Sequence, residues 1–352
     1  MVFQVYAGSY TGSDDPDGIY QIELDTKKEK LRLIRTYKES DNPSFLEVTE
    51  DHLYAVSERE EDGMVSAYKR DRTDGTLTFL NSIPTKGNSM CHLNIWPGGR
   101  YFSAANYMSG SVFTGSIRAD GPLEKVQAFC QHEGTGYYHM TRQEGPHVHC
   151  TQLSEEGKYL YVSDLGLDQV FCYEVGEEAS LTLAKESAQI RLPKGEGPRH
   201  FIFRNRGRFL YLTAELGNKV FVYEAKDGGK SYQEIQAIST LPEGYTEENT
   251  AADLHFSRDG KFLYASNRGM DSIVLYEVNE ETGQLKTKGY YEACGQCPRN
   301  FCITPDNRYV LIANQVSGNI VLCRRNEETG ELTGKLDELP AGQVSFVTAL
   351  ES

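Results

Sequence analysis

One pattern of apolar runs recurs along almost the whole chain, and it restricts the fold more tightly than composition could. Each copy has an apolar run, a short polar turn ending in a basic residue or its equivalent, a second run, and a third run with a tyrosine near its end. The clearest copies are HVHCTQLSEEGKYLYVSDLGLDQVFCYEV, RHFIFRNRGRFLYLTAELGNKVFVYEA, DLHFSRDGKFLYASNRGMDSIVLYEV and RNFCITPDNRYVLIANQVSGNIVLCRR. Two more divergent copies precede them, SFLEVTEDHLYAVSEREEDGMVSAYKR and CHLNIWPGGRYFSAANYMSGSVFTGSI. The residues closing the second runs, Tyr10, Glu58, Tyr107, Leu165, Glu215, Arg268 and Gln315, are 48, 49, 58, 50, 53 and 47 apart, which makes seven units. Polar turns such as NEETGQL and NEETGEL follow the third runs and lead into a fourth, as in LKTKGYYEA and LTFLNSIPT.

Four short strands repeating at this period predict an all-β, seven-bladed β-propeller with four antiparallel strands per blade. One such sheet cannot bury both of its faces until neighbours stack on it. Helical solenoids are excluded by the period-two alternation and by the β-branched and aromatic content of the runs. The first unit opens at VFQVYAGSY with a second strand, and the C-terminal QVSFVTALES supplies a lone first strand. The C-terminal strand is therefore expected to complete the N-terminal blade and remove an open edge. Residues 1–352 are expected to form one propeller domain, since closed all-β architectures run long as single units.

With 39% hydrophobic residues, 25% charged residues and 22 tyrosines, the chain can bury a large core. Its net charge of −15 argues against sequence-independent nucleic-acid binding, which needs a basic surface. An anionic ligand would require arginines concentrated locally against that global charge. The N-terminus MVFQVYAGSYTGSDD lacks a basic stretch followed by an apolar one, and nowhere do about 18 apolar residues run together, so a cytoplasmic protein without membrane spans is expected. Among eight cysteines, Cys150, Cys172, Cys302 and Cys323 sit in strand-like runs where a reduced thiol packs as a small hydrophobe. The one close pair, Cys294-Gly-Gln-Cys297, has no second pair or nearby histidines and reads as a loop turn. Nothing in the sequence specifies an oligomeric state.

In a propeller blade the first strand lines the central channel and the second returns beside it, so the start of the first and the end of the second share one face. Strand-one starts carry Asn42, His92, His147 and His149, Arg199 and His200, Asp253 and His255, and Arg299 and Asn300. Strand-two ends carry Glu58, Asn106 and Tyr107, Asp164, Glu215, Asn267 and Arg268, and Gln315. Polar residues at blade ends also satisfy exposed backbone, and any single one of these can be explained that way. Equivalent positions nonetheless hold different chemistries in different repeats. Three arginines, five histidines and two glutamates on one mouth exceed what capping needs, and convergent titratable groups in a concavity mark functional sites.

A serine-nucleophile elbow is absent. Gly195-Glu196-Gly197 lacks a following helix and is a turn rather than a dinucleotide fingerprint. His147 and His149 could share a strand face and bind a metal with Glu215 or Asp253, but no ligand set of defined spacing accompanies them. What remains is a set of bidentate cation donors beside a general acid or base. Arginine's planar fork suits a carboxylate, a phosphate or a developing oxyanion, while Glu or His can move a proton.

At these residues the chain resembles the seven-bladed propeller lactonase family, which includes a bacterial 6-phosphogluconolactonase and a fungal muconate lactonizing enzyme. The resemblance covers essentially the whole chain. It rests on the order of YAGSYTG, NPSFLEV with LYAVSE, CHL with AANY, PHVH with YLYVSDLG, GPRH with LTAELGNKV, and ASNRG with PRNF. It implies that a lactone ring is opened or closed without metal or organic cofactor, on a small anionic lactone or sugar-phosphate substrate. Motif by motif, the family's catalytic His, Arg, Glu and Arg fall on His149, Arg199, Glu215 and Arg268. His147, two residues from His149, answers to the first histidine of the family's H-P-H variant, although Pro146 here precedes the pair. Glu58, His92, Tyr107, His147, His200, Asp253, Arg299 and Gln315 are expected to bind substrate. The alternatives are another lactonase or muconate-type cycloisomerase, and a non-catalytic sugar- or protein-binding propeller. Two insertions, GTGYYHMTRQEG (134–145) and PEGYTEENTAAD (242–253), precede strands bearing site candidates and are either lids or ordinary loops.

Overall fold

The computed structural model describes residues 1–12, 17–136, 138–226 and 231–351. Among them are seven antiparallel sheets, spanning residues 46–84, 90–131, 148–191, 198–239, 250–292 and 298–340, with the seventh made of 2–37 and 343–351. Six have four strands, and the 148–191 sheet adds a short fifth at Ile190–Arg191. Helical structure among these residues is limited to two single 3-10 turns, Glu177–Ala179 and Glu186–Ala188. No helix is long and apolar enough to cross a membrane.

The strand order is that of a seven-bladed β-propeller, as the repeat predicts. Gln343–Glu351 pairs antiparallel with Val2–Tyr10, from Phe3 opposite Glu351 to Tyr10 opposite Gln343, so the C-terminal strand does complete the N-terminal sheet. Turns between third and fourth strands are built by their sequence. Asn279 Oδ1 accepts the Glu281 and Thr282 N–H groups, and Gly283 follows with φ 74°. Asn326, Glu328, Thr329 and Gly330, with φ 77°, repeat the same device. Only glycine takes this left-handed conformation without penalty.

The residues form two compact units, one of 1–46, 71–76 and 238–352, the other of 47–70 and 77–237. In the first, the strand Tyr309–Asn314 directs Leu311 and Ala313 into a core with Phe3, Val5, Ile22 and Leu24. Its alternate residues Val310 and Ile312 enter a second core with Tyr264, Ile273 and Leu275. In the second unit, Tyr159–Asp164 sends Leu160 and Val162 towards Val112 and Ala105, and Tyr161 towards Leu210 and Leu212. Middle strands thus pack on both faces. They read as continuous apolar runs such as YVLIA, and alternation survives only on the outer strands, where LTGKLDELP alternates irregularly.

Candidate active site

In six sheets the first strand slips register against the second within its opening residues, in the N-terminal sheet by leaving out Ser345 of Gln343–Glu351. In the other five the slips fall between Met90 and His92, Val148 and Cys150, Pro198 and Phe201, Ala251 and Leu254, and Pro298 and Asn300. The residues left out of the pairing are Cys91, His149, Arg199 with His200, Ala252 with Asp253, and Arg299. A β-bulge inserts extra residues into one strand, sharpens its twist and re-aims the side chains it carries. Most of the candidate residues on first strands therefore stand at the one irregular position of an otherwise regular ladder.

Around the 198–239 sheet the bulge builds an ionic centre. Glu215 follows the strand Phe209–Ala214, its N–H donating to Gly197 O at 2.7 Å, which fixes the end of one strand to the start of the other. Arg199 Nε lies 3.0 Å from Glu215 Oε2, and both side chains are almost wholly buried, at 3% and 2% exposure. The carboxylate's other oxygen, Oε1, accepts from Arg142 Nη2. Arg142 comes from the 134–145 insertion and is 37% exposed. It also donates through Nε and Nη2 to the Tyr107 hydroxyl, at 3.3 and 3.2 Å. Burial pushes the Tyr107 pKa up to about 12 despite Arg142's charge, so the phenol keeps its proton. Burial opposes the charge on Arg142, but the Glu215 carboxylate and Tyr107 more than offset this and raise its pKa above the usual arginine value.

Three imidazoles and a fourth adjoin this centre. His147 stacks on the Tyr107 ring with centroids 4.5 Å apart, while His149 meets the same ring edge-on at 5.5 Å. His149 also packs edge-on against His200 at 5.2 Å, and His200 against His92 at 5.5 Å. Both rings thus meet Tyr107, although His147 lies outside the strand on which the sequence places the pair. His147 lies just before its strand, with Nδ1 3.2 Å from Tyr107 O and Nε2 3.2 Å from Glu144 Oε1. Two thiols complete the wall: Cys91 Sγ is 3.9 Å from His149 Nδ1, and Cys150 Sγ is 3.4 Å from His92 Nε2. Among the described residues no three His, Cys, Asp or Glu side chains converge in a way that would hold a metal ion.

Buried carboxylates outside the centre hold its backbone. Asp168 accepts the Gly195 and Gly197 N–H groups at 2.7 and 2.8 Å and the Gln143 side-chain amide at 2.8 Å. The Gly-Glu-Gly stretch is thus a turn, as its sequence indicates. A Cβ at Gly197, whose φ is 64°, would come within 2.8 Å of Leu216. Asp164 receives the His147 N–H at 2.8 Å through Oδ1, and its Oδ2 lies 2.7 Å from His132 Nδ1. His132 Nε2 is in turn 2.9 Å from the Tyr173 hydroxyl.

The other unit carries the remaining candidates. Asp253 Oδ2 is bound by His255 Nε2 at 2.8 Å and by the Asn300 amide, whose Oδ1 accepts the Val347 N–H. The Arg299 guanidinium lies 5.6 Å above the Tyr10 ring centroid. Arg268 closes the strand Phe262–Arg268 and donates from Nη2 to Ala251 O at 3.2 Å. Gln315 N–H bonds Cys297 O, and its Oε1 is 3.9 Å from Cys297 Sγ. Both Cys294 and Cys297 are free thiols in a loop, as read from their sequence. The strand Thr250–Phe256 starts inside the second insertion, which shortens that loop at its C-terminal end. Glu58 lies half-buried just past His52–Ser57 in the unit that holds the ionic centre.

A separate cleft of about 710 Å³ in that unit is lined by Glu47, His52, Trp96, Arg100 and Arg118 among others. Burial pushes the Glu47 carboxyl up to about 7, against hydrogen bonds from the Asn94 side chain and the Ile95 backbone.

The repeat missed Arg142, which has no equivalent in other units. Its only signal is a cation inside an insertion directly before a candidate strand.

A bulged all-β scaffold that buries an Arg–Glu pair among histidines is the arrangement of a propeller enzyme acting on a small molecule. The family described as Lactonase, 7-bladed beta-propeller matches residues 4–349, and the chain belongs to that family. The 6-phosphogluconolactonase of Bacillus subtilis (strain 168) is 34% identical over 302 residues, covering 85% of this chain and 84% of that protein. A protein of the same name from Formosa agariphila is 34% identical over 309 residues, covering 86% of each. The periplasmic gluconolactonase of Pseudomonas aeruginosa superposes with a TM-score of 0.94 at 31% identity, covering 100% of this chain and 99% of that one.

Proposed function

We propose that the chain is a lactone hydrolase of carbohydrate metabolism whose substrate is 6-phospho-D-glucono-1,5-lactone. The observation that carries this reading is the buried Arg199–Glu215 pair at the bulge, joined by Arg142 and bordered by histidines. Water attacks the lactone carbonyl carbon and gives its proton to a base. The ring C–O bond then breaks, and the ring oxygen takes a proton to become the 5-hydroxyl of 6-phosphogluconate. Glu215 is the base once Oε1 is released by Arg142, with His149 beside Tyr107 as the other proton acceptor in reach of the same corner. Arg199, held by the carboxylate, stabilises the developing oxyanion. His92, His147 and His200 shape the wall. Arg268, Arg299, Asp253, Glu58 and Gln315 keep the roles that their motifs imply, catalytic for Arg268 and substrate-binding for the others. Eight free cysteines support a reducing, cytoplasmic location.

The test is a panel of 6-phosphogluconolactone, gluconolactone and a carboxymuconate, each followed above its spontaneous reaction. Enzyme-dependent loss of 6-phosphogluconolactone is expected, with a drop of about 100-fold or more in Glu215→Gln and in Arg268→Ala, the range for a proton-transfer group or an oxyanion donor. No enzyme-dependent loss of that lactone refutes the reading. Turnover of the muconate alone establishes the cycloisomerase instead. A protein that turns over none of the three is a binding propeller.

A further inference from the structure

We infer that Arg142 and Tyr107 form the subsite for the phosphate group of the substrate, and that Arg142 leaves Glu215 to occupy it. This rests on the hydrolase reading above and specifies how that site selects its substrate.

Charge gives the first reason. Arg142, Arg199 and Glu215 carry two positive charges and one negative, and the buried Arg199 already neutralises Glu215 at 3.0 Å. Arg142 is the cation of the pair that reaches solvent. The nearby carboxylate Glu144 is half-exposed and lies on the His147 imidazole. An exposed guanidinium beside a buried ion pair is complementary to an anion.

Hydrogen-bond direction gives the second. The Tyr107 oxygen accepts from Arg142, so its own proton must point elsewhere. With a pKa near 12 the phenol is a donor. Arg142 and Tyr107 together offer an O–H and a guanidinium edge, which suit the tetrahedral oxygens of a phosphate monoester.

Anchoring gives the third. The segment bearing Arg142 is fixed by the buried Gln143, whose side chain donates to Leu165 O at 2.9 Å and Asp168 Oδ1 at 2.8 Å. The Gln143 N–H closes a turn on His139 O at 2.8 Å. Beside this fixed backbone the Arg142 guanidinium is 37% exposed, whereas Arg199 is 3% exposed. Gln143 is therefore a fixed post beside the partly exposed Arg142 side chain. When phosphate draws Arg142 away, Glu215 Oε1 loses a donor and becomes available to take a proton from water. A neutral lactone leaves Arg142 on Glu215 and meets a less basic carboxylate.

The experiment compares kcat/KM for 6-phosphogluconolactone and unphosphorylated gluconolactone in the wild type, Arg142→Gln, Arg142→Lys and Tyr107→Phe. Loss of a charge-assisted contact of this kind is worth about 10- to 150-fold. Arg142→Gln is expected to shrink the preference for the phosphorylated lactone by about 30-fold or more. Arg142→Lys should retain part of that preference, because the charge survives without the fork, and Tyr107→Phe should lose about 10-fold of it. In parallel, 6-phosphogluconate is expected to raise the thermal midpoint of the wild type more than gluconate does, and this difference should vanish in Arg142→Gln. Equal losses on both lactones, or an unaltered preference, overturn the inference and leave Arg142 as a positioning residue for Glu215. Wild-type protein without lactone turnover refutes the hydrolase reading alone. In that case, an Arg142-dependent shift with 6-phosphogluconate still supports the subsite and its absence removes it.

Discussion

Removing Arg199 should destabilise the normal protein and stabilise one that has already lost Glu215. Both side chains are nearly solvent-free, and Arg199 Nε sits 3.0 Å from Glu215 Oε2. Breaking a buried ion pair by deleting one partner costs about 3–5 kcal/mol, chiefly because a charge is left in a poorly hydrated place. Glu215→Leu strands Arg199, while Arg142, already 37% exposed, turns to water at little cost. Arg199→Met is milder, since Glu215 keeps Arg142. Adding Arg199→Met to Glu215→Leu removes the stranded charge and should recover about 2 kcal/mol or more. At about 2.1 cal/mol/K per residue of unfolding entropy, a chain of this length moves roughly 1.4 °C per kcal/mol. Glu215→Leu should thus lower the calorimetric midpoint by about 4–7 °C and the double mutant should regain about 3 °C of that. A double mutant less stable than Glu215→Leu would refute the reasoning and show that Arg199 is held mainly by other partners.

Glu47, pushed up to about 7 from the ordinary 4.5, binds its proton more tightly in the folded state, so its contribution to stability is complete below pH 4.5, falls as pH rises and is gone above 7. Glu47→Gln should match the wild type near pH 4.5 and exceed it by about 2 kcal/mol at pH 8, and a constant difference across pH in chemical unfolding would count against this. Asp168→Ala leaves the N–H groups of Gly195 and Gly197 and the Gln143 amide without their acceptor. It should cost about 3 kcal/mol and, because the same turn places Arg199 and Glu215, lower kcat/KM as well, whereas intact activity would detach the turn from the site.

The repeat was legible because each sheet is made of neighbouring hairpins whose buried strands leave continuous apolar runs. Even the exchange of the first strand to the C-terminus showed as an unpaired run at each end. The site was legible only as a set of positions. Strand alternation puts Arg199 and His200 on opposite faces, and nothing in GPRHFIF announces that the ladder skips from Pro198 to Phe201. Asp253, read as a substrate ligand, is engaged with His255 and Asn300, an arrangement that depends on neighbouring strands rather than on its own repeat. Arg142 was invisible for a different reason. A comparison of repeats finds what recurs, and this arginine occurs once.

The two kinds of hidden feature divide the work of the site. The bulge is a property of the backbone, and it stands at one place in six sheets whatever side chain it carries: Ser345, Cys91, His149, Arg199 with His200, Ala252 with Asp253, or Arg299. Because the irregularity is shared, substituting one of these side chains alters the chemistry presented without rebuilding the strand. An insertion ahead of a first strand has no such constraint, and the one before His147 delivers Arg142 to Glu215 while Gln143 secures it to Asp168 and Leu165. The repeated framework can therefore hold the proposed acid–base centre, while the proposed anion selector, Arg142, lies outside the repeat. Grafting a neutral residue at 142 should change which lactone is preferred more than how a lactone is opened, whereas a change at 199 or 215 should affect every substrate alike.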